Sequence, residues 1–307
     1  NMKNLIITVI VVLIVGVGGY FLYNLFSEQA ADKSDQGMQT EDTTSEVDEV
    51  AEENEKSDET ETIIGTSVEG REITAYHYGS GDTNILFIGG IHGGYAWNTV
   101  LVAYELMDYL EDNASAIPEN IRVTVIPVMN PDGLETVVGT ANRFSVTDVP
   151  SSEAQTIAGR FNANEVDLNR NFDCDWESES MWQSQTVSGG GEVFSEPESQ
   201  AIRSYVESSD PDAIVVWYSA AGGVFASNCH GDVLSETTEI TNVYADASGY
   251  KAFEEFDFYD ITGDMVNWFA KENISAISVL LTTHSDVEWN ENRAGIEALF
   301  EYYSDSE

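Results

Sequence analysis

Positive charge is scarce in this chain. Twelve Lys and Arg residues face 55 Asp and Glu residues, for a formal net charge of -43. Phosphate backbones are held by a basic face, so nucleic acid is excluded as a partner. Two cysteines in 307 residues exclude a disulfide-dense scaffold and a Cys₄ zinc module. No Gly-x-Gly-x-x-Gly follows a strand pattern and no Gly-Lys-Ser/Thr is present, so dinucleotide and P-loop chemistry lack their loops. What is plentiful is apolar: 42% of residues, enough for one large domain with appendages.

The chain divides into three parts. Leu5 to Phe26 is an apolar run preceded by Lys3 and followed by Glu28 and Asp32. As a helix it would span about 33 Å, close to the hydrocarbon thickness of a bilayer. Residues 1–26 are therefore expected to be a transmembrane anchor, with the positive charge on the cytoplasmic side and the remainder membrane-anchored and extracytoplasmic. A cleaved signal peptide is the rival, against which the length of the run and the weak Gln29-Ala30-Ala31 site count. Residues 27–62 carry 14 acids, two lysines and no aromatic. They are expected to form a disordered tether reaching on the order of 30–36 Å, and further under self-repulsion. Residues 63–307 are the globular part, with 41 acids and nine bases. Such a surface stays soluble and resists non-specific association.

Within that part, apolar strand patterns alternate with helical ones. Asn84–Gly90, Ile121–Val128, Ala213–Trp217 and Ala276–Leu281 read as strands. Trp97 to Leu110 reads as a mostly buried helix, with Val100, Ala103, Tyr104, Met107 and Leu110 on a broad apolar face. Ser195-Glu-Pro-Glu198 predicts a helix start capped by Ser195. Ile261–Ala270 and Val287–Tyr303 predict further helices, and Asn130 to about Ser195 reads as irregular. This is an α/β layer pattern with a largely parallel or mixed sheet, whose ligands bind beyond the carboxyl ends of the strands. The loops after Gly90, Val128, Tyr218 and Leu281 should share that rim.

Several residues there carry chemistry. His92 sits in Gly89-Gly-Ile-His-Gly-Gly, a strand-end loop whose glycines allow close approach. Asn130-Pro-Asp-Gly133 has strong turn chemistry. Asp167-Leu-Asn-Arg-Asn-Phe172 places Arg170 between two asparagines, a pattern suited to clamping a carboxylate, with a structural ion pair as the alternative. Cys174 and Cys229 flank the same region; a disulfide between them and two free thiols stay equally open. Trp176, Trp182 and Tyr250 read as packing residues, and His77 as a surface or sheet histidine.

The order His-Gly-Gly, Asn-Pro-Asp-Gly, Val166-Asp-Leu-Asn-Arg-Asn-Phe, Phe194-Ser-Glu-Pro-Glu and Tyr259-Asp-Ile-Thr-Gly-Asp-Met-Val-Asn-Trp268 resembles the zinc metallocarboxypeptidases of the carboxypeptidase A-like group. The resemblance covers most of Ile63 to Tyr303. It implies a single α/β domain with a mixed, largely parallel central sheet of about eight strands and helices on both faces. It implies zinc held by His-x-x-Glu and a later His, a Glu activating the bound water, an Asn-Arg pair on the substrate's terminal carboxylate and a covering Tyr. Asn169 and Arg170 match the clamp, Tyr259 is the candidate cover, and either Arg143 or Arg160 would polarise the scissile carbonyl.

The departures bear on activity. Tyr95 and Ala96 stand where the acidic ligand is expected, Tyr218 where the second His is expected, and Leu280 or Leu281 where the catalytic Glu is expected. Of the four, only His92 remains, as a remnant metal ligand. A catalytic zinc needs three protein ligands and an open position, so zinc and turnover are expected to be lost. The expectation is a pseudoenzyme that recognises a peptide C-terminus or other carboxylate ligand. The alternatives are an active zinc carboxypeptidase or amide hydrolase, acting on peptides such as those of the cell wall with a ligand set rearranged through His230, His284 or Glu288, and substitutions at Ala96 and Tyr218 in an otherwise competent enzyme.

Overall fold

The computed structural model describes residues 60–305. The anchor expected at 1–26 and all but the last three residues of the tether expected at 27–62 lie outside them. Among the described residues no helix is long and apolar enough to cross a membrane. The first strand begins at Glu61, two residues before the expected start of the domain.

Ten strands and seven α-helices follow in the order β1 (Glu61–Thr66), β2 (Glu72–Gly79), β3 (Thr83–Ile88), α1 (Trp97–Asp112), β4 (Ile121–Ile126), α2 (Pro131–Val138), α3 (Glu153–Thr156), β5 (Glu179–Trp182), β6 (Gln185–Ser188), α4 (Pro197–Ser209), β7 (Ala213–Ser219), β8 (Gly223–Ala226), α5 (Ser235–Ser248), β9 (Lys251–Phe253), α6 (Met265–Lys271), β10 (Ser275–Leu281) and α7 (Trp289–Ser304). Eight strands form one sheet in the order β1-β2-β4-β3-β7-β10-β8-β9, and β5-β6 form a separate hairpin. The central strands β4, β3, β7 and β10 run parallel. β1 and β2 close one side antiparallel, and β8 turns antiparallel against β10 at the other. This is the mixed, mostly parallel sheet implied by the motif order.

The central strands are apolar at nearly every position because both faces are covered. Val215 and Trp217 of β7 and Ile277, Val279 and Leu281 of β10 pack with α1, α5 and α7. Ile214, Val216 and Tyr218, with Ala276 and Leu280, face the opposite layer, built from α4 and α6. Fully burying one such aliphatic or aromatic side chain stabilises the fold by roughly 1.5–3 kcal/mol. The period of two also decides which residues meet the site. Tyr218 and Leu280 are paired across β7 and β10 and lie on the same face.

Some local expectations are corrected. Ser195 does not cap α4: its N-cap is Glu196, and Ser195 Oγ donates to the Glu196 carboxylate at 2.7 Å. Proline at the first helical position needs no hydrogen bond there, so the helix starts on Pro197 without a side-chain cap. The helix expected from Ile261 starts four residues later, capped by Asp264 through the Asn267 N–H. The stretch expected to be irregular holds α2, α3 and the β5–β6 hairpin. α2 follows from the turn chemistry of Asn130-Pro-Asp-Gly, since the Asn130 side chain accepts from Gly133 N–H at 2.8 Å. Asp132 is clasped by Ser67 Oγ, Glu69 N–H and Arg71, which binds the first hairpin to that turn.

Cys174 and Cys229 are disulfide-bonded, 55 residues apart in sequence. In the chain-entropy account such a closure is worth about 4 kcal/mol. Replacing both cysteines with serine should lower the unfolding free energy by up to that amount, read as an earlier denaturant midpoint. An unchanged midpoint would mean that the crosslink does not constrain the unfolded chain.

Candidate functional site

A cavity of about 370 Å³ opens beyond the carboxyl ends of β3, β7 and β10. His92 enters it from the loop after β3, Tyr218 and Ser219 from the end of β7, and Ser278, Leu280 and His284 from β10 and its loop. Arg160, Asn169 and Arg170 come from the segment before the β5–β6 hairpin, Trp182 from that hairpin, and Phe256, Phe258, Tyr259 and Asp264 from the segment before α6.

Asp167 organises the polar wall. Its carboxylate is completely buried and accepts three hydrogen bonds. Arg160 donates through Nε at 2.9 Å and brings Nη2 within 2.7 Å of the same oxygen, His92 Nε2 lies at 3.1 Å, and the Asn169 N–H donates at 3.1 Å. Burial alone would raise the Asp167 pKa, but the Arg160 charge and His92 hold it well below the usual carboxylate range. Burial, then Arg160, lowers the His92 pKa from 6.5 to about 4. The ring is thus neutral, Nε2 carries the proton toward Asp167, and Nδ1 is a bare acceptor. That Nδ1 is buried and has no partner. Arg160 lines the cavity and is stacked over Trp182, 4.3 Å from the ring centroid. Arg143 lies elsewhere, paired with Asp108 at 2.8 Å and stacked on Tyr104, because its position after α2 places it on the outer surface.

The expected carboxylate clamp is only partly open. Asn169 Oδ1 accepts from Tyr218 O–H at 3.2 Å and Met265 N–H at 3.1 Å, while its Nδ2 donates to Asp264 at 2.7 Å. Arg170 gives three hydrogen bonds to backbone carbonyls, two to Met181 and one to Asn169. Its fork therefore supports the hairpin as well as facing the cavity. Gly263 makes this packing possible: it sits at φ +66, and a Cβ there would come within 2.2 Å of the Arg170 carbonyl oxygen. Tyr259 lines the cavity and packs edge-on against Phe256 at 5.1 Å.

At the positions where the resemblance asks for metal chemistry, other residues do structural work. Ala96 is the N-cap of α1 and is buried. The Tyr95 hydroxyl meets His284 Nε2 at 3.2 Å, and His284 Nδ1 meets Ser219 Oγ at 3.0 Å. Tyr218 is held by Asn169, and burial pushes its pKa well above 10, so it remains a phenol. Leu280 is apolar wall. Of the rescue residues, His284 reaches the cavity. His230 is exposed and pairs with Asp175, and Glu288 is bound to Thr282 N–H and Tyr250. Among the described residues no three His, Cys, Asp or Glu side chains converge to hold a metal ion. The His92 Nδ1 lone pair suits a cation, but its neighbours are phenols, an aliphatic wall and two guanidinium groups. This donor set does not fit zinc.

The sequence reading did not assign a role to Asp167 or Asp264. Both lay inside quoted motifs. Asp264 had a readable signal as an acid just before a helical run, the pattern of an N-cap.

Comparison with known proteins gives a consistent picture. The family described as zinc carboxypeptidase matches residues 44–286. Metallocarboxypeptidase A of Trichophyton tonsurans is 35% identical over 123 residues, covering 36% of this chain and 27% of that protein. The carboxypeptidase N catalytic chain of Mus musculus is 26% identical over 182 residues, covering 55% of this chain and 36% of that protein. The match therefore spans only about a third of these relatives. Among solved structures, the murein-tripeptide amidase MpaA from Escherichia coli O157 superposes with TM-score 0.55 at 21% identity, covering 79% of this chain and 92% of that one. The carboxypeptidase A from Helicoverpa armigera does so with TM-score 0.60 at 19% identity, covering 80% and 67%. At these identities the structural likeness concerns the fold.

The state of His92 has a pH signature. Its folded pKa lies below its ordinary value of 6.5, so the folded protein favours the neutral ring. The associated stability is whole above about pH 6.5 and is lost as pH falls toward 4, amounting to about 3 kcal/mol. Denaturant midpoints across that window should fall more steeply for the native protein than for His92→Gln. Parallel profiles would show that His92 is not held neutral.

Proposed function

This chain belongs to the zinc carboxypeptidase family, and from that membership we propose that it has exchanged metal chemistry for ligand binding. It would be a pseudoenzyme that receives the end of a peptide in the family's cavity. The observation that carries this reading is the replacement of a convergent donor set around His92 by Tyr95, Ala96, Tyr218 and Leu280, each engaged in packing or in hydrogen bonds of its own. Without zinc or a nearby free carboxylate, water is not made nucleophilic at neutral pH. Binding needs neither. The cavity retains the Arg170 guanidinium, the His92 acceptor and an apolar wall of Phe225, Phe256, Phe258 and Leu280, a mixture suited to a peptide terminus and its last side chain.

Metal analysis beside calorimetric titration with short peptides tests this. Expected are no stoichiometric zinc, no cleavage, and a peptide affinity that chelator does not change. Arg170→Met should weaken binding about tenfold or more, the loss of a charge-assisted hydrogen bond. Stoichiometric zinc with chelator-sensitive turnover would restore the enzymatic alternative.

We also propose that the apolar run Leu5–Phe26 holds the domain at the outer face of a membrane. The full chain should then stay with membranes through an alkaline carbonate wash, and its release by that wash would overturn the anchor.

A further inference from the structure

The polar balance of the cavity is not that of a carboxylate receptor. Two guanidinium groups, Arg160 and Arg170, line it, but Arg160 is neutralised by Asp167 at 2.7 Å. Two further acids, Asp264 and Glu255, face the space. Three carboxylates thus stand against two cations, and an incoming anion meets no net positive charge.

Hydrogen-bond capacity points the same way. Asn169 is closed on both sides, its oxygen by Tyr218 and Met265 and its nitrogen by Asp264. Arg170 has five N–H groups and uses three on backbone carbonyls, leaving two donors. Asp264 accepts from Asn169 Nδ2, Asn267 N–H and Val266 N–H, which leaves about one of a carboxylate's roughly four acceptor sites. His92 Nδ1 is a buried acceptor with no partner. Arg170 and Asp264 both line the cavity, so a donor group and an acceptor group border one space. A carboxylate ligand offers acceptors only. It would serve Arg170 and lay a second negative charge beside Asp264. A primary carboxamide offers a carbonyl to Arg170 and an NH₂ group to the acceptors.

We propose that the cavity selects a primary carboxamide over a carboxylate, with Asp264 as the specificity-determining residue. This rests on the peptide-end reading above and names the chemistry of that end. The carboxamide can come from an amidated C-terminus or from an Asn or Gln side chain, and the test separates the two.

Calorimetry on the full chain would compare three N-acetylated peptides: two of one sequence free of Asn and Gln, ending in –CONH₂ or in a free carboxylate, and a third with an internal glutamine and a methyl-ester end. The amidated peptide should bind at least about tenfold tighter than the acid. Equal binding of the glutamine peptide assigns the group to a side chain, and weaker binding assigns it to the terminus. Asp264→Asn, checked for an unchanged melting profile, should erase or invert the preference, since it removes the charge and adds a donor. A wild-type preference for the free carboxylate overturns this inference while leaving peptide binding standing. No binding of any peptide overturns both. The wild-type comparison decides the matter even where the variant does not fold.

Discussion

The buried carboxylate of Asp167 is the contact on which the site depends. Removing a charge from water is costly unless it is paired and hydrogen-bonded. Here the cost is met by a guanidinium on one oxygen and by an imidazole and a backbone N–H on the other. That convergence joins the loop after β3 to the segment carrying Arg160 and Asn169. It fixes the His92 tautomer, aims Nδ1 away from Asp167, and holds Arg160 flat on Trp182. In a metal site such an arrangement would orient a ligand. In this chain the oriented imidazole faces the Tyr218 ring, and Leu280 lines the same cavity.

Replacing metal ligands leaves holes and stranded polar atoms unless neighbours adapt. Tyr218 shows how the adaptation works. Its ring lies 6.0 Å from that of His92, and its hydroxyl finds the Asn169 carbonyl oxygen, so a bulky polar side chain is both packed and satisfied. Tyr95 does the same through His284, and His284 through Ser219, which also reaches Asn98 on α1. These side chains form one hydrogen-bonded chain from Tyr95 through His284 and Ser219 to Asn98. The exception is His92 Nδ1, whose lone pair no neighbour has taken up.

Most of the architecture was legible in the residues. The apolar runs at Ile85, Val123, Val215 and Ile277 belong to strands buried on both faces, and periodicity finds such strands readily. The edge strands β1 and β9 and the β5–β6 hairpin carry mixed exposure and few apolar residues, and they stayed hidden. The motif order located Asn169, Arg170, Tyr259 and the missing ligands. It could not choose between Arg143 and Arg160, because that choice depends on where a long connection folds back. Nor could it show that Asn169 already has a partner, since Asp264 is 95 residues away in sequence and meets it only through tertiary packing.

Asp264 also begins α6: one oxygen accepts the Asn267 N–H, the other the Asn169 amide. The first turn of that helix buries Met265, Val266 and Trp268 in the layer beneath the sheet. An occupant competing for this carboxylate therefore pulls on a helix start embedded in the core. One carboxylate is thus shared between the cavity wall and the start of a core helix.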